Sequence, residues 1–204
     1  TCFAVEALLE SYEITKDETV LRETLSAAYF VVNDLSRTVH GKGIIFSYSI
    51  MSGNNTVINA SLLGAKILSY SYKYTRNKEH ATLAKQAIIA ACDLQEEDGS
   101  WIYGLLPVQS WKDSFHTGFN LDAIETYQQN TKDDSFQRYI DKGLVYYLEN
   151  FFEENGMPKY YHNKTYPIDI HCPAQVIVTL SKLKVFKENE ALLSKVLDWT
   201  LMHM

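Results

Sequence analysis

Cysteine is scarce: Cys2, Cys92 and Cys172 are the only three in 204 residues. Their wide spacing and the lack of a CxxC pair give no zinc or redox signature, so they read as small core residues. Basic residues are also outnumbered, 19 Lys and Arg against 25 Asp and Glu for a formal net charge of -6, and they form no run. A protein that tracks phosphates shows a basic stripe, so no nucleic-acid partner is expected. No stretch approaches the ~18 to 20 uninterrupted apolar residues that span a bilayer, so no membrane span is expected. The first residues lack the charged and apolar regions of a secretory signal, and the expected location is cytoplasmic unless a signal lies upstream of this chain.

Missing motifs exclude further chemistry. No GxxxxGK[ST] or GxGxxG is present, so no nucleotide cofactor is expected, and no other cofactor is implied. There is no GxSxG. Cys172 follows His171 directly, and consecutive helical residues point about 100° apart, which makes a poor nucleophile and base.

What is present is a core: 46% of residues are apolar and 13% aromatic, against 22% charged, as in a globular protein. Two sets of landmarks recur along it. One is a polar break: Thr15-Lys16-Asp17, Thr75-Arg76-Asn77, Thr131-Lys132-Asp133 and, more loosely, Lys187-Glu188-Asn189. Each supplies an Asp or Asn able to cap a following helix. The other is a glycine followed by aromatics: Gly43 with Phe46 and Tyr48, Gly99 with Trp101 and Tyr103, Gly156 with Tyr160 and Tyr161. These glycines end each second helix and start a short extended piece.

The spacing predicts helices near 2–14, 18–36, 56–74, 78–96, 116–130, 134–153, 172–184 and 189–203, paired as four hairpins. Second helices carry one apolar stripe, as in Leu21, Leu25, Ala28, Val32 and Leu35, and so have a wet side. First helices are apolar nearly all round, as in Ile58, Leu62, Leu63, Ala65, Ile67 and Leu68, and need packing on several sides. The expected fold is all-α, tandem helical hairpins forming part of an α/α toroid, with buried inner and half-exposed outer helices. Four hairpins are fewer than a closed ring needs. Residues 1–204 are therefore expected to be a single toroid domain, the C-terminal part of a longer protein.

Gln95-Glu96-Glu97-Asp98-Gly99-Ser100-Trp101 fits the QxxxGxW core of the repeat in squalene-cyclase-like and prenyltransferase-like α/α toroids, and Lys142-Gly143 with Tyr146 resembles its upstream half. The acidic DxDD signature of protonating terpene cyclases is absent. Residues 111–119 (WKDSFHTGF) and 166–171 (YPIDIH) resemble segments of bacterial toroid proteins associated with polysaccharide synthesis. They are also similar to the helical domains of glucuronyl epimerases and six-hairpin glycosidases. The resemblance implies a carbohydrate ligand, either a bacterial polysaccharide or its precursor.

In a double-layer helical ring the loops that lead into inner helices gather at one end, so polar residues there can converge. The third such loop offers Asp113, His116 and, one turn on, Asn120. The fourth offers Asp169, His171 and Gln175. In both, a histidine and an amide lie at i and i+4 on one helix face. Asn59 holds a nearly equivalent place in the second hairpin. Imidazole is the side chain able to exchange a proton near neutrality and a carboxylate can fix its tautomer, so the two pairs are candidate acid–base groups. As a structural alternative, the Asp residues cap helices and the histidines hold neighbouring repeats.

Two Asp and two His also make a metal donor set, but the spacing matches no metal motif and no metal is expected. Trp111, Tyr160 and Tyr161 lie in the connections, where aromatic rings offer flat faces to sugars. The expected set is thus His116, His171, Asp113 and Asp169 as catalytic groups, with Asn59, Trp111, Asn120, Tyr160, Tyr161 and Gln175 holding ligand. The expected chemistry is epimerisation, elimination or hydrolysis. Two alternatives stand beside it: a non-catalytic binding or scaffold module of the same fold, and a terpenoid- or prenyl-processing enzyme. The oligomeric state is left open.

Overall fold

The computed structural model describes residues 1–51 and 53–204. Among the described residues are eight α-helices: α1 (Cys2–Thr15), α2 (Glu18–Asn33), α3 (Ile58–Thr75), α4 (Lys78–Asp93), α5 (Ser114–Thr131), α6 (Gln137–Asn150), α7 (His171–Lys182) and α8 (Glu190–His203). They pair in sequence order as four hairpins, and the all-α expectation holds. The only described strands, β1 (Arg37–His40) and β2 (Gly43–Phe46), pair antiparallel after α2, with Thr38 opposite Ile45. None of the described helices is long and apolar enough to cross a membrane.

The polar breaks are one turn built repeatedly. At Thr15, Thr75 and Thr131 the hydroxyl donates to the carbonyl four residues back, at 2.9, 2.7 and 2.8 Å. The same oxygen accepts the backbone N–H two residues on. The residue between is left-handed: Lys16 (φ 55°), Arg76 (φ 60°) and Lys132 (φ 64°). Asp17 and Asn77 then cap the next helix by accepting from Thr19 N–H (2.8 Å) and Glu79 N–H (3.0 Å). The fourth break differs from expectation: its left-handed residue is Lys184 (φ 61°), and residues 187–189 form a 3₁₀ turn leading into α8. A non-glycine residue in this region costs about 1 kcal/mol. Arg76→Gly is therefore expected to raise unfolding free energy by up to about 1 kcal/mol, read by urea denaturation.

The glycines after the second helices also follow one rule: each presses on the second helix of the hairpin that follows. A Cβ on Gly43 would lie 2.3 Å from the Gln86 carbonyl in α4, one on Gly99 2.4 Å from the Lys142 carbonyl in α6, and one on Gly156 2.3 Å from the Lys195 carbonyl in α8.

The chain divides into two compact units, residues 1–93 with 126–134, and residues 94–125 with 135–204. In the first, α3 is buried on almost every side, as its sequence predicts, and Phe46, Leu62, Ala65, Leu68, Ala84 and Ile88 are fully enclosed. Lys66 is enclosed among them and forms an ion pair with Glu6 of α1 at 2.7 Å. Tyr70 donates to the same carboxylate at 3.1 Å.

In the second unit the QxxxGxW residues act as a clasp. The Gln95 amide donates to the carbonyls of Gly99 and Tyr139, both at 2.9 Å. Trp101 is buried against Gly143 of α6, where any Cβ would stand 2.6 Å from the indole ring. Tyr147, Phe151, Val176, Leu180 and Val196 complete this core. The clasp fixes the connection from which residues 103–113 lead into α5.

Candidate functional site

Asp113 ends that connection and starts α5. Its Oδ1 accepts the backbone N–H of His116 at 3.0 Å, a capping bond, and its carbonyl accepts the Thr117 hydroxyl at 2.6 Å. The same carboxylate faces the imidazole, with His116 Nδ1 at 2.9 Å from Oδ1 and 2.8 Å from Oδ2. Asp169 repeats the arrangement ahead of α7, where its Oδ1 accepts the His171 N–H at 2.8 Å and meets His171 Nδ1 at 2.7 Å. Capping and pairing, which the sequence poses as alternatives, are both made by Asp113, whereas Asp169 pairs with His171 and accepts its N–H but leaves the N-cap position of α7 to Ile170. An ionised carboxylate can only accept, so Nδ1 carries the proton in each pair and Nε2 holds the lone pair of the neutral ring.

The two pairs meet at Phe115. Its ring centroid lies 4.4 Å from that of His116 and 5.6 Å from that of His171. Backbone bonds hold this end together: Ser114 N–H donates to the Tyr160 carbonyl at 2.9 Å, and Asp113 bridges to Tyr161. The pairs differ in setting. The Asp113 side chain is 0% exposed and that of His116 21%, whereas Asp169 is 34% and His171 70% exposed. One imidazole is held against a buried charge and the other stands in solvent.

Burial pulls the Asp169 carboxyl upward, but the backbone N–H and imidazole of His171 outweigh it and hold it below the usual carboxylate range. A depressed carboxylate contributes stability that is complete above its unfolded value, near 4. That stability is lost as pH falls through the lower folded value. Asp169→Asn is thus expected to lower the melting temperature at pH 7 and to flatten its decline below about pH 4. An unchanged acid profile in the variant would mean that the pair does not form.

Aromatic rings wall the site. Tyr103 lies 4.8 Å from His116, and Phe119 lies 5.7 Å from His116 and 5.8 Å from Phe115. Tyr160 meets Phe115 edge-on at 5.3 Å and Tyr161 at 4.5 Å. Burial, then the charge of Asp113, pushes the Tyr160 hydroxyl up to about 12, so it stays protonated as a donor. Trp111 stacks on Tyr103 at 4.6 Å and 14°, and its indole N–H donates to Asp113 Oδ2 at 3.1 Å.

The amides separate. Asn120 is 3% exposed with its Oδ1 unpartnered. Gln175 is buried and its Nε2 donates to Asp122 Oδ2 at 3.1 Å and Thr179 Oγ1 at 3.0 Å, in a network that Lys182 joins. Asn59 lies on α3 in the other compact unit, also buried with an unpartnered Oδ1. Cys172 is buried, and burial pushes its thiol up to about 12, which leaves it a poor nucleophile. Among the described residues no group of three or more His, Cys, Asp and Glu is placed to hold a metal ion.

The sequence matches no protein-family profile, and no curated protein matches it significantly. Solved structures resemble it in fold. A GH76 alpha-mannanase of Bacteroides thetaiotaomicron superposes with a TM-score of 0.71 at 16% identity, over 95% of this chain and 54% of its own. A cellobiose 2-epimerase of Bacillus thermoamylovorans gives 0.67 at 17%, over 96% and 57%. An unsaturated glucuronyl hydrolase of Bacillus sp. GL1, responsible for glycosaminoglycan degradation, gives 0.64 at 13%, over 85% and 50%. The chain spans about half the length of these structures. The fold is that of α/α toroids, as the repeat landmarks predict.

Proposed function

We propose that this chain contributes to a carbohydrate-processing toroid in which His116 and His171 carry protons to and from a sugar. The substrate class is a polysaccharide or its precursor. Asp113 and Asp169 keep Nδ1 protonated, leaving each Nε2 to act. In epimerisation one ring, neutral, takes a proton from the sugar carbon at Nε2, and the other, entering as the imidazolium, gives its Nε2 proton to the opposite face. In elimination or hydrolysis one ring, entering as the imidazolium, protonates the leaving oxygen, while the neutral ring takes the proton from the sugar carbon or from the attacking water. Asn120, Tyr160 and Tyr161 hold the sugar, with Tyr160 as a hydroxyl donor.

The observation that carries the reading is the meeting of two Nδ1-anchored imidazoles on the single ring of Phe115. It is supported by the solved structures of like fold, a mannanase, an epimerase and a glucuronyl hydrolase by their own descriptions. A binding-only role draws support from Asp113, which is buried and fully engaged as a cap.

The test is incubation of the full chain with a panel of neutral and uronate-containing glycans in D₂O. Deuterium at a stereocentre reports epimerisation, a new unsaturated sugar reports elimination, and new reducing ends report hydrolysis. Binding without any of these products would favour the binding-only role, and neither binding nor product would remove the carbohydrate reading.

A further inference from the structure

Trp111 is expected from its type and position to offer its ring to a ligand, yet three contacts turn it inward. Its indole N–H donates to Asp113 Oδ2 at 3.1 Å. The same oxygen lies 2.8 Å from His116 Nδ1. One of its faces is covered by Tyr103, nearly parallel at 4.6 Å, and Tyr103 in turn lies 4.8 Å from the His116 ring. Backbone closure fixes the Tyr103–Trp111 stack, since Tyr103 N–H donates to the Trp111 carbonyl at 2.8 Å.

We propose that Trp111 is a positioning residue: by donating to the buried Asp113 carboxylate it sets the orientation and proton affinity of His116. The inference rests on the reading of His116 as a proton carrier and deepens it. Asp113 accepts three donors here, the His116 backbone N–H, the His116 ring N–H and the Trp111 indole. With a side chain 0% exposed, it has no water to replace one of them. The indole draws off part of the carboxylate charge that would otherwise stabilise the imidazolium. His171 lacks this constraint, because Asp169 is a third exposed and can meet water.

The groups that face His116 are Asp113 at the helix start, Tyr103 from the connection, and Phe115 and Phe119 on its own helix. Tyr160, and His171 with Asp169, lie beyond Phe115. Trp111 and His116 both act on one oxygen of Asp113, so a change at the indole reaches His116 through that atom without moving the others.

The test is NMR titration of the histidine ring signals in the full chain without glycan, in the natural protein and in Trp111→Phe. The variant keeps a flat ring against Tyr103 and lacks the indole N–H. The His116 midpoint is expected to rise, with His171 unmoved. A folded variant with an unshifted His116 midpoint overturns the proposal. A second readout needs no variant: of the three indole N–H signals of the natural protein, that of Trp111 should titrate with the midpoint of His116. A flat Trp111 signal through that range overturns the proposal even if Trp111→Phe does not fold. Both readouts come from the resting protein. A failure here therefore leaves the turnover reading to its own test, and a failure of turnover leaves this titration intact.

Discussion

On the proposed reading, His116→Ala in the full chain is expected to lower kcat on a processed glycan by about 10² to 10⁴, the range for loss of a positioned acid or base. The effect should fall on kcat more than on KM, because Asn120, Tyr160 and Tyr161 remain to hold the sugar. The fold should survive, since the capping bond is made by the backbone N–H of residue 116, which alanine retains. Asp113 also keeps the Trp111 indole. A kcat within a factor of two or three of the natural protein would show that no proton passes through this ring.

Gly99→Ala should be among the most damaging small substitutions in the fold. Gly99 has φ +92°, and a Cβ there would lie 2.4 Å from the Lys142 carbonyl oxygen and 2.8 Å from its carbon, both backbone atoms with no rotamer to escape into. Left-handed strain of about 1–2 kcal/mol and overpacking of about 1–3 kcal/mol together give a loss of roughly 3 kcal/mol. That is a large part of the ~5–15 kcal/mol that stabilises an ordinary domain. Gly53 supplies the control. It has φ +86° but nothing within 4 Å of a Cβ, so Gly53→Ala should show the strain alone. Equal losses in the two variants, measured by urea unfolding, would contradict the packing part of the argument.

The hairpin repeat was legible because its landmarks are local. A Thr, a basic residue and an Asp or Asn in succession encode a whole turn, and a glycine encodes the approach of a neighbouring backbone. The fourth break was blurred, since Lys184 takes the left-handed position without the Thr and Asp that mark it elsewhere. Lys66 was hidden for a different reason. Its apolar neighbours predict a buried face correctly, but the ion pair that accompanies the buried charge comes from Glu6, sixty residues earlier.

At the site, the Asp–His pairs could be read from spacing alone, because each lies within one helical turn. Phe115 could not. On the helix it points about 100° from its neighbour His116, and its contact with His171 joins residues far apart in the chain. Tyr103 reaches the site through closure of the 103–111 connection, which no periodicity reports. The i+4 rule that matched Gln175 with Asn120 placed both on the right helices. It carried no information about Asp122 and Thr179, the partners that take the Gln175 amide.

The most direct test of the account follows the ring Cε1–H signals of His116 and His171 while a glycan is titrated into the full chain. If the two imidazoles serve one sugar, both signals shift along a single binding curve with the same Kd, and the other histidines do not follow it. A glycan that binds while either signal stays fixed would contradict a shared site.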